Sequence, residues 1–309
     1  MTSPASSQYV FEEVADGVVA AIASPEGSAL CNSLIVDLGQ ETLVFDTGYT
    51  PAAALALRAE AIHRFGDRPQ LVVNSHKHND HIRGNQAFPR ARIVSTRETR
   101  DRIRELVEFD AAAEKREFEG FLQFLEQPRW SETDTRRFRN MALGVIDSLD
   151  SLRITPPNMT FERILEVHGT RRLARLRSFG GGHTSSDAFL ELPDDGVLAL
   201  GDLLTIENHP SIEDGKLAEW RRILGEISAL RFTHVVPGHG RLGGPTDLPP
   251  LLRYFDDLEQ EAAHRRRTGA SPSPEALAPV PARYAHWAAA MAYGSNLESL
   301  LRAGRPASP

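Results

Sequence analysis

The sequence predicts a layered α/β fold, and three observations carry that expectation. Short apolar, β-prone runs separated by turns fill the first fifty residues. A strand–helix–strand order follows them, and the same order returns after residue 160. At 309 residues the chain can bury a large core, as one domain or two.

Each element has a local reason. Residues 9–23 and 28–46 alternate apolar stretches with turns, as antiparallel strands do. Residues 51–65 are alanine-rich and helical, and Leu71-Val72-Val73-Asn74 reads as a short buried strand that hands the next residues to a loop. Residues 91–95 form another strand. Between it and the strands restarting near residue 161, Ile103, Leu106, Val107, Phe118, Phe121, Leu122 and Leu125 mark one helical apolar face. Met141, Val145, Ile146, Leu149 and Leu152 mark a second, with Pro128 and Pro156-Pro157 as punctuation. Placed between two groups of chemistry-bearing residues, this insertion (about 97–157) is expected to fold over the site as a cap; a hairpin merely packed on the body is the plainer alternative. Arg129, Arg136, Arg137 and Arg139 could attract an anionic substrate, but a solvated helix face is the preferred account of that run.

Farther on, Leu217, Trp220, Ile223, Leu224, Ile227 and Leu230 form a core-packing stripe. Residues 251–267 read as an amphipathic helix whose end, Arg265-Arg266-Arg267 before Gly269, suits a helix C-terminus and needs no nucleic acid. Residues 270–281 read as a proline-rich linker, and a helical tail at 282–303 could dock on the domain or support a homodimer, with the last residues frayed.

Composition excludes several classes. A formal charge of −7 gives no reason to expect a nucleic-acid or membrane surface. With Cys31 as the single cysteine, no intramolecular disulfide can form. Residues 1–8 lack the basic and apolar regions of a signal peptide, and no apolar run approaches a membrane span, so a cytoplasmic location is expected.

The most informative residues are candidate metal ligands. His76, His78, Asp80 and His81 form an H-x-H-x-D-H cluster straight after the strand ending at Asn74. Gly182-His183-Thr184, Leu200-Gly201-Asp202 and Pro237-Gly238-His239-Gly240 follow, each at the end of a β-prone run or in a glycine-rich turn. Alone, His183 or His239 would be an ordinary loop histidine, and Asp202 a helix N-cap before Leu203-Leu204. Together they make an all-nitrogen-and-oxygen donor set that suits zinc and related divalent ions. Among the remaining histidines, His209 in Glu207-Asn208-His209-Pro210 could line the pocket.

In these motifs, and in Cys31-Asn32-Ser33, Asp46-Thr47-Gly48, Gly84-Asn85 and Ser185-Ser186-Asp187, the chain resembles the metallo-β-lactamase-fold superfamily, from near Val18 to about residue 245. The resemblance implies an αββα sandwich with metals at one edge, a catalytic domain over 1–250 and a helical extension of the same domain over 251–309. It implies His76, His78 and His183 as ligands of a first metal, Asp80, His81 and His239 of a second, and Asp202 as the bridge. Asp46 and Asp187 resemble acids that steady the ligands from behind. Ser186 departs from the glycine common at its position. Aspartate rather than cysteine at 202 argues against the β-lactamases that use a cysteine there.

The implied cofactor is two zinc ions, with manganese or iron as substitutes, and the implied reaction is hydrolysis by a metal-bridging hydroxide. Asp80 would be the catalytic acid or base, and the partner a small-molecule ester, lactone or thioester. Two alternatives stand beside this: a mononuclear iron persulfide dioxygenase using His76, His183 and Asp202, and β-lactamase-type amide hydrolysis.

Overall fold

Alternation of side chains along short strands decides how this chain layers. In the computed structural model, which describes residues 7–127, 130–269 and 279–303, the chain begins with β1 (Tyr9–Ala15), β2 (Val18–Ala23), β3 (Ser33–Asp37) and β4 (Thr42–Phe45). Helix α1 (Pro51–Phe65) starts where Thr50 accepts a hydrogen bond from Ala53 N and proline fills the first turn. Then come β5 (Gln70–Val73), the four-residue α2 (Asn79–Ile82) and β6 (Arg92–Thr96). Three helices follow, α3 (Arg97–Glu105), α4 (Ala111–Leu125) and α5 (Glu132–Ser148), before β7 (Met159–Phe161) closes the first half. The second half comprises β8 (Ile164–His168), β9 (Leu173–Gly180), β10 (Asp187–Leu192), β11 (Val197–Ile206), α6 (Leu217–Ser228), β12 (His234–Gly240), α7 (Leu248–Thr268) and α8 (Met291–Ala303).

The strands form two sheets, ordered β1-β2-β3-β4-β5-β6-β7 and β12-β11-β10-β9-β8. In the first, β1 to β4 are antiparallel and β4 to β7 parallel; in the second only β11 and β12 run parallel. Leu34, Val36, Leu43, Phe45, Leu71 and Val73 of the first sheet meet Leu176, Leu190, Val197 and Ala199 of the second. The alternate residues, Ile35, Val44, Val72 and Ile93, pack under α1 on Ala53, Leu57 and Ala61. On the far side Leu198 and Leu200 meet Trp220, Ile223 and Leu224 of α6, Tyr254 and Phe255 of α7, and Leu297 of α8. This is the αββα sandwich; its central strands are covered on both faces, which is why β3 and β5 read as continuous apolar runs, while β1 and β8 at the sheet edges are partly exposed. Truncating a fully buried side chain such as Phe45 to alanine would cost about 3–5 kcal/mol.

Three expectations change. The apolar run 103–125 is two helices: Leu106 ends α3, and Asp110 caps α4 by accepting from Ala112 N and Ala113 N, while Val107 is exposed. The helix expected from 251 begins at Leu248. The tail at 282–303 holds a short 3-10 turn, Ala282–Tyr284, and α8. Arg129, residues 270–278 of the expected linker at 270–281, and the last residues lie outside the described residues. Among the described residues no helix is long and apolar enough to cross a membrane.

Candidate metal centre

Strand ends deliver the candidate ligands. His76 and His78 lie in the loop after β5, Asp80 and His81 in α2, His183 between β9 and β10, Asp202 within β11, and His239 near the end of β12. They gather into two adjoining groups, His76, His78, His183 and Asp202, and Asp80, His81 and His239, each with donor atoms within 4.8 Å of one another.

In the first group Nε2 of His76 and Nε2 of His183 lie 3.0 and 2.9 Å from Nδ1 of His78. Each ring's other nitrogen is engaged. His78 Nε2 lies 3.0 Å from Asp214 Oδ2, and His183 Nδ1 lies 3.1 Å from the Ser211 carbonyl oxygen. His76 Nδ1 lies 2.8 Å from Ser75 Oγ, whose hydroxyl donates to Asp46 Oδ2 at 2.7 Å. Carboxylates and carbonyls only accept, so these partners assign the ring protons to the outer nitrogens. Three lone pairs are left facing one another, an arrangement that repels unless a cation lies among them. Burial, reinforced by the neighbouring imidazoles, holds His76 well below the ordinary histidine range; burial also brings His183 down to about 4, so both rings are neutral, as ligands must be.

In the second group Asp80 Oδ2 lies 3.4 Å from His81 Nε2 and 3.3 Å from His239 Nε2. Asp202 stands between the groups: Oδ2 is 3.4 Å from His183 Nε2 and 3.3 Å from His239 Nε2, and Oδ1 is 3.2 Å from His81 Nε2. The outer nitrogens are again held, His81 Nδ1 by Asp46 Oδ2 at 2.8 Å and His239 Nδ1 by the Leu30 carbonyl at 3.2 Å. His81 Nε2 and Asp202 Oδ1 are both buried without a hydrogen-bond partner. Burial pulls against charge on His239, yet Asp202 and Asp80 lift its imidazole to about 9. That pull toward positive charge, and the two orphaned donor atoms, fit a bound cation.

Close packing leaves no room for side chains at the crossing points. A Cβ on Gly238 would come within 1.9 Å of Asp202 Oδ1, so β12 can pass the acid only with glycine there. Four non-glycine residues among those described hold a left-handed φ: Leu30, Asp46, Glu207 and Ala289. Asp46 contacts the candidate ligand His81 directly, Leu30 and Ala289 line the pocket, and Glu207 precedes the pocket residue Asn208. Backbone strain is thus concentrated around this centre.

The comparisons with known proteins agree with the geometry. The model of the metallo-beta-lactamase superfamily matches residues 28–239. The chain belongs to this superfamily. Among curated proteins, none matches it. Membership and the donor cluster together make the protein a metal-dependent enzyme of hydrolase type that uses a divalent ion.

Within this superfamily member, several site residues escaped sequence reasoning. Asp214, which holds His78 and also accepts from Lys77 Nζ at 2.6 Å, sits in an unremarked turn. Ser75 relays Asp46 to His76, but only the fold shows it. Asn32 Nδ2 donates to the carbonyls of Pro237 and Gly240 and pins the loop carrying His239; its place in Cys31-Asn32-Ser33 was the available signal. Asp187 behaves differently from Asp46. Its carboxylate accepts from the backbone N–H of Gly182, His183 and Thr184 at 2.7–3.1 Å and touches no imidazole, so it shapes the loop rather than orienting a ring.

A cavity of about 230 Å³ opens over the ligands, with His78, Asp80, Asp202 and His239 on its floor. The wider cleft of about 530 Å³ at Asp257, Glu261 and Arg267 contains none of these donors, and chemistry rather than volume locates the site. The insertion contributes Arg137 and Phe138 to the wall, and the C-terminal segment contributes Ala289, Met291 and Ala292. His209 lines the same cavity, its Nδ1 3.1 Å from Tyr254 Oη, and burial brings it down to about 4. Asn296 of α8 fixes the loop that carries Ser211 and Asp214, donating to Pro210 O at 2.7 Å and accepting from Ile212 N at 3.1 Å.

Proposed function

We infer that the chain is a two-metal hydrolase of a small metabolite, cleaving an ester, lactone or thioester bond. The observation that carries this reading is the position of Asp202. Its two oxygens face both donor groups, so one carboxylate can serve two ions whose remaining ligands are complete. In this reading His76, His78 and His183 hold one ion, and Asp80, His81 and His239 the other.

Divalent ions held by these residues would supply a hydroxide nucleophile near neutral pH and would take up charge on the substrate oxygen. The chain supplies the rest. Asp46 fixes His81 directly and His76 through Ser75, so two ligands keep the tautomer that leaves Nε2 free. Asp80 faces the cavity and is placed to accept the attacking water's proton and return it to the departing alkoxide or thiolate. Leu30, Phe138 and Met291 present apolar surface that excludes bulk water from the bond being cleaved.

The test is turnover of a panel of esters, lactones and thioesters by the zinc- or manganese-loaded protein and by its Asp80→Ala and His183→Ala variants. The expected result is that both variants lose turnover while their far-UV circular dichroism stays native. Full activity in either variant would overturn the assignment. The mononuclear iron dioxygenase and the amide hydrolase predict turnover of persulfides and of β-lactams instead.

A further inference from the structure

Arg137 is the one arginine in the lining of this cavity, and it forms no ion pair with an acid among the described residues. It projects from α5 into the wall, where Nη2 donates to the Leu30 carbonyl at 2.9 Å and Nη1 reaches Asn208 Oδ1 at 3.4 Å. Its Nε is buried without a hydrogen-bond partner. The other described arginines of the run behave as a solvated face: Arg136 is exposed and pairs with Glu26 at 2.9 Å, and Arg139 is exposed. Arg137 makes no ion pair with any acid among the described residues, although Asp134 and Asp80 lie near enough to be felt.

The spacing explains the difference. Asp134, Met141, Ala142 and Val145 form the buried stripe of α5, and Arg137 stands beside it, one turn from both Asp134 and Met141. Burial works against its charge, since removing a guanidinium from water without a counter-ion is costly. Arginine nonetheless stays charged in proteins, and its planar fork matches a carboxylate. Leu30 and Asn208 each occupy one donor, leaving part of the fork for a ligand. The Leu30 carbonyl that Arg137 holds is also the acceptor for His239 Nδ1, so the guanidinium stands two hydrogen bonds from a candidate metal ligand.

Resting on the hydrolase reading above, we propose that the substrate is a small acid: its scissile acyl group lies over the metal centre and its free carboxylate pairs with Arg137. The cavity, at about 230 Å³, is smaller than pockets that enclose drug-sized ligands and suits a short chain. Beside Arg137 the lining holds no lysine or second arginine, and Phe138, Pro210, Met291 and Ala292 give it apolar surface. Anion recognition therefore falls to one arginine, and the distance between acid and acyl group is set by α5 against β12.

The experiment is isothermal titration of the zinc-loaded full chain with succinate and with its neutral counterpart succinamide, in wild type and in Arg137→Ala, Arg137→Gln and Arg137→Lys. Succinate is expected to bind wild type at least tenfold more tightly than succinamide, on the scale of a charge-assisted contact. Arg137→Ala and Arg137→Gln should lose at least tenfold for succinate with little change for succinamide, and Arg137→Lys should recover part of the loss. Zinc content and melting temperature, read on the same samples, identify a variant that fails to fold; Arg137→Lys, which keeps the charge, then carries the comparison with wild type. Equal affinities for the two ligands, or unaltered succinate binding in a folded Arg137→Gln, would overturn the anion site. Selective succinate binding without turnover of any ester, lactone or thioester would leave that site standing and overturn the hydrolase reading. Turnover with no succinate preference would do the reverse.

Discussion

The Asp46 carboxylate lies 2.8 Å from Nδ1 of His81, and neither side chain reaches solvent. The same oxygen accepts from Ser75 Oγ, which meets His76 Nδ1, so one buried acid steadies a ligand in each donor group. Asp46 does this from a left-handed backbone at φ 58°. Asparagine tolerates that conformation, which makes Asp46→Asn a test of the carboxylate, its charge and its second acceptor oxygen, without a change of backbone. The variant should fold, and its affinity for divalent metal should fall about 10–100-fold, as read by chelator competition. Wild-type affinity would show that Asp46 only shapes the turn.

Gly238 tests the close approach of β12 to β11. Gly238→Ala must displace Asp202 or the strand, since the added carbon would fall 1.9 Å from Oδ1. Overpacking of this kind costs about 1–3 kcal/mol, and metal content should fall with it. Gly225 on α6 is the control. Nothing lies within 4 Å of the carbon added there, so Gly225→Ala should raise stability by about 0.5–1 kcal/mol through helix propensity. Denaturant melts and metal analysis of both variants read the contrast; a harmless Gly238→Ala would contradict the packing.

Asp37 ties the two sheets at the end of β3. It accepts from Gly39 N at 2.8 Å and from Arg68 and Arg171, each at 2.7 Å. Burial opposes its ionisation, but the Gly39 N–H and the two arginines bring its carboxyl below the ordinary 3.8. A depressed folded-state value means stability that is present above the unfolded pKa and lost as pH falls through the folded one. Both arginines are more than a third solvent-exposed, so the contribution is about 1 kcal/mol after screening. Asp37→Asn should be less stable than wild type at pH 7, with the gap closing below about pH 4. Thermal melts from pH 3 to 7 measure it, and a gap independent of pH would contradict the ion-pair account.

What the sequence revealed divides along physical lines. The strands were readable because both sheet faces are covered, which turns Leu34-Ile35-Val36 and Leu71-Val72-Val73 into unbroken apolar runs. The candidate ligands were readable because chemistry restricts the residue types and strand ends restrict their places. Asp214 and the Ser211 carbonyl were not, because each meets its histidine across the fold from a loop without a distinctive pattern. The break at Asp110 carried an N-cap signal that the apolar spacing on either side concealed. Arg137 was hidden by its neighbours: among Arg136, Arg137 and Arg139, contact with Leu30 marks the one turned inward. The contribution of Ala289, Met291 and Ala292 to the cavity depends on where α8 docks, which local periodicity does not encode.

The central claim is that Asp202 serves two ions at once, and metal stoichiometry tests it most directly. Mass spectrometry of the protein purified without added metal should find about two divalent ions per chain, zinc or manganese, as a shared carboxylate between two complete donor groups requires. A single iron per chain that does not rise on incubation with zinc or manganese would contradict the account and turn attention to oxygen-dependent sulfur chemistry.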